Sequence, residues 1–136
     1  MPVSGTARPE PRRYRRQWRF YKSASGREPV SAVLDQLSDE DAATLAVAMK
    51  EVLRAGRSHP DVNNLRGDIW QVEIHGKSVI YRLLFAEEGR YGQVLLAVLL
   101  VAKKWQKARK QHIELAERRL TDWRRRGRKK RVGARA

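Results

Sequence analysis

An arginine inside an apolar strand, and a run of lysines at the end of the next, are the residues of this chain that invite chemistry. Arg82 lies within VIYRLLF, and Lys103, Lys104 and Lys107 follow the apolar run from Val94 to Ala102. Burying a guanidinium without a partner is costly, so its position needs a reason. A phosphate is one, since arginine grips it through two parallel hydrogen bonds. RNA cleavage could proceed with such groups alone, because the ribose 2′-OH is a built-in nucleophile. The protein has to align that hydroxyl, withdraw its proton, neutralise the pentavalent phosphate and protonate the 5′-oxygen. A lysine serves as acid or base when nearby positive charge lowers its pKa, and the three lysines are close in sequence. Arg82, Lys103, Lys104 and Lys107 are therefore the candidate catalytic residues. Arg66, Trp70, Lys77, Tyr81 and Trp105 supply the cations and rings on which RNA would be held, a ring giving a base somewhere to stack.

Each of these has a plainer alternative at this stage. Arg82 could be paired with Glu73 across a hairpin. Lys103 and Lys104 could be a solvated strand end, and Trp70 and Tyr81 could belong to the core or the sheet. His75, beside a turn, fits a solvent-facing position.

Composition narrows the classes. The chain of 136 residues carries 30 Lys and Arg against 15 Asp and Glu, a formal charge of +15. That excess implies a polyanionic or acidic partner. Hydrophobic residues make up 41%, enough for one modest core. Cysteine is absent, which excludes disulfides, thiol nucleophiles and Cys-based metal sites. His59, His75 and His112 fall in a connector, a strand end and a helix without ligand-like spacing, so neither a metal nor another cofactor is expected. No GxGxxG, P-loop or HExxH is present, and the serines lie in turns or helix starts, without support for a Ser–His–Asp triad. No apolar run is long enough to span a membrane and no apolar leader follows the basic N-terminus, so a cytoplasmic protein is expected.

The elements that must position these groups follow from patterning. Residues 1–16, with three prolines and several arginines, read as a mobile basic arm. Gln17 to Lys22 alternates Trp18/Phe20 with Arg19/Tyr21, as a strand does. Pro29 opens a short helix carrying Val30, Val33, Leu34 and Leu37. Ser38 and Asp41 resemble a capping box ahead of a second helix, whose stripe is Ala42, Leu45, Ala46, Met49, Val52 and Leu53, with Gly56 as its stop. Arg57 to Asp68 reads as a polar connector. Strands follow at Ile69–His75, Ser78–Ala86 and Gln93–Ala102, an antiparallel meander. Ile113, Ala116, Leu120 and Trp123 predict a closing helix over about Lys107 to Arg126, and 127–136 read as a basic tail. The expectation is an α+β domain over 17–126. Its four-stranded antiparallel sheet, mixed if the first strand pairs in parallel, is covered by a helical hairpin, with a C-terminal helix in addition.

The stretches LRGDIWQVEI, VIYRLLF, VLLVAKKWQK and HIELAERRLTDW resemble the HigB-like, phage-derived branch of the RelE/ParE toxin superfamily. The resemblance spans about Trp18 to Trp123. It implies a RelE-like fold and the toxin of a type II toxin–antitoxin system. Such toxins are metal-independent endoribonucleases that cut mRNA on the ribosome and so inhibit translation. It implies as partners a cognate helix-turn-helix antitoxin, mRNA and the ribosome, with no membrane and no small-molecule cofactor. Arg82 matches the family's strand arginine, Lys103, Lys104 and Lys107 its lysine cluster, and Leu65, Gly67 and Trp70 the approach to the second strand. Gln71 and Glu73 stand where the family has glutamate and arginine. Trp105 replaces a threonine, and Arg109 a common proline. A non-catalytic RNA- or ribosome-binding protein of the same fold is the alternative.

Overall fold

The computed structural model describes residues 16–104 and 107–135, with side chains as far as 128. The arm expected at 1–16 lies outside the described residues except for Arg16, as does Trp105.

Strand β1 (Gln17–Phe20) leads to helix α1 (Pro29–Asp35) and helix α2 (Asp39–Ala55). Ser38 caps α2, its Oγ accepting from the Asp41 amide at 3.1 Å, and Asp39, Glu40 and Asp41 complement the helix dipole. The Asp41 carboxylate serves elsewhere, accepting from the Tyr81 hydroxyl at 2.6 Å and the Lys77 amide at 3.0 Å. Gly56 ends α2 with φ 56°, a conformation that side chains disfavour, and a Cβ there would collide with the Arg16 guanidinium.

After a short turn of 3-10 helix come β2 (Val62–Arg66), β3 (Ile69–His75), β4 (Ile80–Glu88) and β5 (Val94–Ala102). The sheet has five strands in the order β1-β5-β4-β3-β2. β1 runs parallel to β5 and every other pair is antiparallel. The class is the expected α+β, RelE-like one, with a strand more than expected. β2 lies in the segment read as a polar connector. Its VNNLR sequence has little strand propensity, but Val62 is buried in the core and the backbone pairs with β3.

Helix α3 (Lys110–Arg135) starts three residues later than the patterning predicts. It also continues through the segment read as a tail. Its backbone hydrogen bonds are satisfied within the helix, so it needs no core residues to continue. Among the described residues no helix is long and apolar enough to cross a membrane.

The sheet is buried on both faces. Val72, Ile74, Tyr81, Leu83, Phe85, Leu95, Ala97 and Leu100 pack under α1 and α2 with Leu45 and Val52. Ile69, Leu84, Ala86, Leu96, Val98 and Leu99 pack on the other face with Ala116 and Leu120 of α3. Two-sided burial explains why β4 and β5 are nearly continuous apolar runs. Val98 and Leu99, adjacent in sequence, both lie on the α3 face. The β4–β5 register slips there, with Leu84 opposite Leu99 and Phe85 opposite Ala97. This is a β-bulge, and it reverses the alternation of everything after it. Arg119 of α3 closes the irregularity, donating from Nη1 to the Val98 carbonyl at 2.7 Å.

Candidate functional site

The bulge determines which basic side chains meet. Had β5 continued the alternation of Leu96 and Val98, Leu100 and Ala102 would face α3. Instead Leu100 faces the helical hairpin, and Val101 pairs with Arg82 on the α3 face. Two residues on, Lys103 falls on that same face, its amide donating to the Ile80 carbonyl. Arg82 is only 3% exposed. Its strand partner is Glu73, whose Oε2 lies 3.5 Å from the Arg82 Nε. Lys103 Nζ is 3.3 Å from that same oxygen. Glu73 therefore joins two of the sequence-predicted catalytic cations, and the pairing of Arg82 with Glu73 is the plainer alternative the sequence left open.

Beyond Lys103 the chain turns into α3, and here a cleft of about 340 Å³ opens, lined by Val101, Ala102, Lys104, Arg109 and His112. Lys104 and Lys107 are exposed. Arg109 immediately precedes α3 and His112 lies in its first turn, the His112 amide donating to the Arg109 carbonyl at 3.0 Å. Burial pushes the His112 imidazole below its ordinary pKa, and the positive charges of Arg109 and then Arg82 push it the same way. All three favour the neutral form, which can accept a proton at neutral pH. Sequence reasoning passed over His112 because it looked for metal-ligand spacing. The available signal was the Arg109–His112 spacing directly after the lysine run.

The remaining candidates lie elsewhere. Tyr81 and Trp70 point to the helical hairpin face, away from Arg82. The Tyr81 hydroxyl is committed to Asp41, which together with burial raises its pKa. Trp70 carries the Arg57 guanidinium 4.5 Å from its ring centre. Lys77 sits in the β3–β4 turn, its Nζ 3.7 Å from Glu40. Arg66, on the edge strand β2, makes a two-pronged contact with Glu117 of α3, at 3.1 and 2.5 Å, so its guanidinium ties sheet to helix.

Gln71 also faces α3. It is 5% exposed and its Oε1 has no hydrogen-bond partner among the described residues. The neutral amide avoids burying a charge at this position. No group of three or more His, Asp or Glu among the described residues is placed to hold a metal ion.

A mixed sheet with a helical hairpin on one face, a long helix on the other, and a basic cleft where the last strand meets that helix defines a RelE-like toxin domain. The family model described as phage-derived, Gp49-like protein matches residues 32–121. The chain is 32% identical over 109 residues, 79% of its length and 85% of the relative's, to the probable endoribonuclease HigB1 of Mycobacterium tuberculosis. The same match holds for strain CDC 1551 / Oshkosh and for strain ATCC 25618 / H37Rv. The chain belongs to this Gp49-like, HigB-like family of toxin–antitoxin toxins.

Proposed function

We propose that this protein is the toxin of a type II toxin–antitoxin pair and cuts mRNA on the ribosome without a metal ion. The observation that carries the reading is His112, biased toward its neutral form by burial, Arg109 and Arg82, in a cleft it shares with Lys104. In this reading His112 withdraws the proton of the ribose 2′-OH, and the 2′-oxygen attacks the adjacent phosphorus. Lys104 and Arg109 stabilise the charge that builds on the phosphate oxygens, and Lys107, exposed in the segment leading into α3, holds the flanking backbone. The 5′-oxygen leaves with a proton, returned by the imidazolium or a neighbouring lysine. The products are a 2′,3′-cyclic phosphate and a 5′-hydroxyl. The name of the mycobacterial relatives, probable endoribonuclease, agrees with this chemistry. A cognate helix-turn-helix antitoxin would neutralise the toxin by binding it, and the cytoplasm is where mRNA and ribosomes meet it.

Induction in a host cell followed by mapping of RNA 5′ ends tests the proposal. New ends within coding sequence and growth arrest are expected, both lost in His112→Gln. Unchanged ends with normal growth would refute it. The second reading is a non-catalytic RNA- or ribosome-binding protein, favoured by the carboxylate of Glu73 on Arg82 and Lys103. It predicts stable co-sedimentation with ribosomes while the RNA stays intact.

A further inference from the structure

Two of the basic groups behind the cleft are already occupied by an anion, and that anion belongs to the chain itself. Glu73 presents Oε2 to Arg82 Nε at 3.5 Å, and both carboxylate oxygens to Lys103 Nζ, at 3.3 and 3.4 Å. Lys103 thus engages both oxygens, as an ammonium would engage a phosphate, while Arg82 meets the carboxylate as an ion pair rather than through a hydrogen bond from Nε. The arrangement is fixed by the fold: Glu73 and Arg82 are directly opposed on β3 and β4, and the β5 bulge brings Lys103 to the same face. The carboxylate is not locked away. The Glu73 side chain is 27% exposed and that of Lys103 18%, whereas Arg82 is buried behind them at 3%. Lys104 and Lys107, by contrast, have no carboxylate partner among the described residues. The cationic surface thus has an open part, with Lys104 lining the cleft, and a part closed by Glu73.

We infer that Glu73 is a built-in competitor of the RNA phosphate. It occupies the anion position formed by Lys103 and Arg82, and an incoming phosphodiester takes Lys103 only by displacing it. Glu73 then sets the affinity of the toxin for RNA rather than the chemical step. This inference rests on the proposed RNA-cleaving function, but it is tested by binding, independently of cleavage.

The probe is a single-stranded RNA oligomer carrying 2′-O-methyl groups throughout, which the 2′-OH mechanism cannot cut. Its affinity is measured against salt for the full chain and for Glu73→Gln. Removing the competing charge is expected to tighten binding by roughly tenfold. One more phosphate neutralised steepens the slope of log affinity against log salt by about 0.7. On a cleavable substrate, KM should fall while kcat stays close to wild type. A folded Glu73→Gln protein with wild-type affinity and slope would overturn the inference, as would one whose kcat falls at unchanged KM, the mark of a residue that merely positions Lys103.

Glu73→Gln leaves Arg82 buried beside a neutral amide and could fail to fold. Glu73→Asp then decides, because it keeps the charge opposite Arg82 but falls one methylene short of Lys103. Tighter binding than wild type supports the inference, and equal binding overturns it. If the wild type binds and cleaves RNA while both variants bind no better, this inference alone fails. If neither wild type nor variants bind the oligomer, the inference fails, and the proposed function is judged separately by the mapping of RNA 5′ ends in cells.

Discussion

Replacing His112 by Gln isolates the group on which the proposed reaction depends. Glutamine keeps the length and polarity of the side chain and cannot take a proton. His112 is half-buried in the first turns of α3 and is not among the buried residues, Ala116 and Leu120, that pack α3 into the core. The variant should therefore fold. A positioned general base contributes about 10²–10⁴-fold, so the barrier should rise by about 3–5 kcal/mol. The sign of the pH dependence follows from the structure. Burial, Arg109 and Arg82 all lower the His112 pKa from 6.5. The base is active when neutral, so kcat/KM should be flat at neutral pH, with its acid limb below pH 6.5. Arg109→Gln removes the second of the three causes and should move that limb upward, toward the ordinary imidazole value. Linkage gives the matching stability statement. Because the folded pKa is depressed, protonation favours the unfolded chain, and stability is lost as pH falls below about 6.5. The assay is cleavage of a defined mRNA on programmed ribosomes, followed by primer extension across pH 5–8, with circular dichroism to confirm the fold. A His112→Gln protein that cleaves within about threefold of wild type, or an acid limb above the ordinary histidine value, would refute the reasoning.

Other expectations follow from single contacts. Tyr81→Phe removes the hydroxyl that serves Asp41 and should cost about 1–3 kcal/mol in urea unfolding; a tyrosine that only contacted RNA would leave stability unchanged. Asp122 accepts from the Tyr21 hydroxyl at 2.7 Å and from Arg126 Nε at 3.0 Å, and these bonds lower its pKa from 3.8 to about 2. Its contribution is fully present above about pH 4 and is lost as pH falls toward 2. After allowance for solvent screening, Asp122→Asn should cost about 1–2 kcal/mol at pH 7. The deficit should close in unfolding curves taken toward pH 2. Arg119→Met leaves the Val98 carbonyl of the bulge without its donor, and should lower stability by about 1–3 kcal/mol in the same denaturation assay.

Much of the framework was legible from local chemistry. The Ile69–His75 strand, the Ser38 cap and the Gly56 stop are read from periodicity and turn residues, and the structure has each where the pattern puts it. The alternation of Trp18 and Phe20 with Arg19 and Tyr21 also holds: the first pair packs toward the helical hairpin, and Tyr21 belongs to the α3 face. β2 was missed because Val62–Arg66 has little intrinsic preference, and its strand form comes from pairing with β3. Tyr81 and Trp70 looked available for RNA because sequence gives the alternation of a strand but not which face looks onto which helix. His112 was overlooked because only metal-ligand spacing was sought, and its burial, the largest cause of its lowered pKa, arises from tertiary packing rather than from its neighbours in sequence.

The sequence by itself determined that this chain is a small, strongly basic α+β domain, with an arginine inside one apolar strand and a lysine run at the end of the next. These are properties of composition and of periods two and near four, which each segment carries on its own. Tertiary structure decided the rest. The bulge at Val98–Leu99 put Lys103, rather than its neighbour, beside Arg82 and Glu73, and the packing of α3 brought His112 and Arg109 over the end of β5. A register shift of one residue moves every later side chain to the opposite face. The energy that selects it, burial of Val98 and Leu99 together with a hydrogen bond from Arg119, comes from residues distant in the chain.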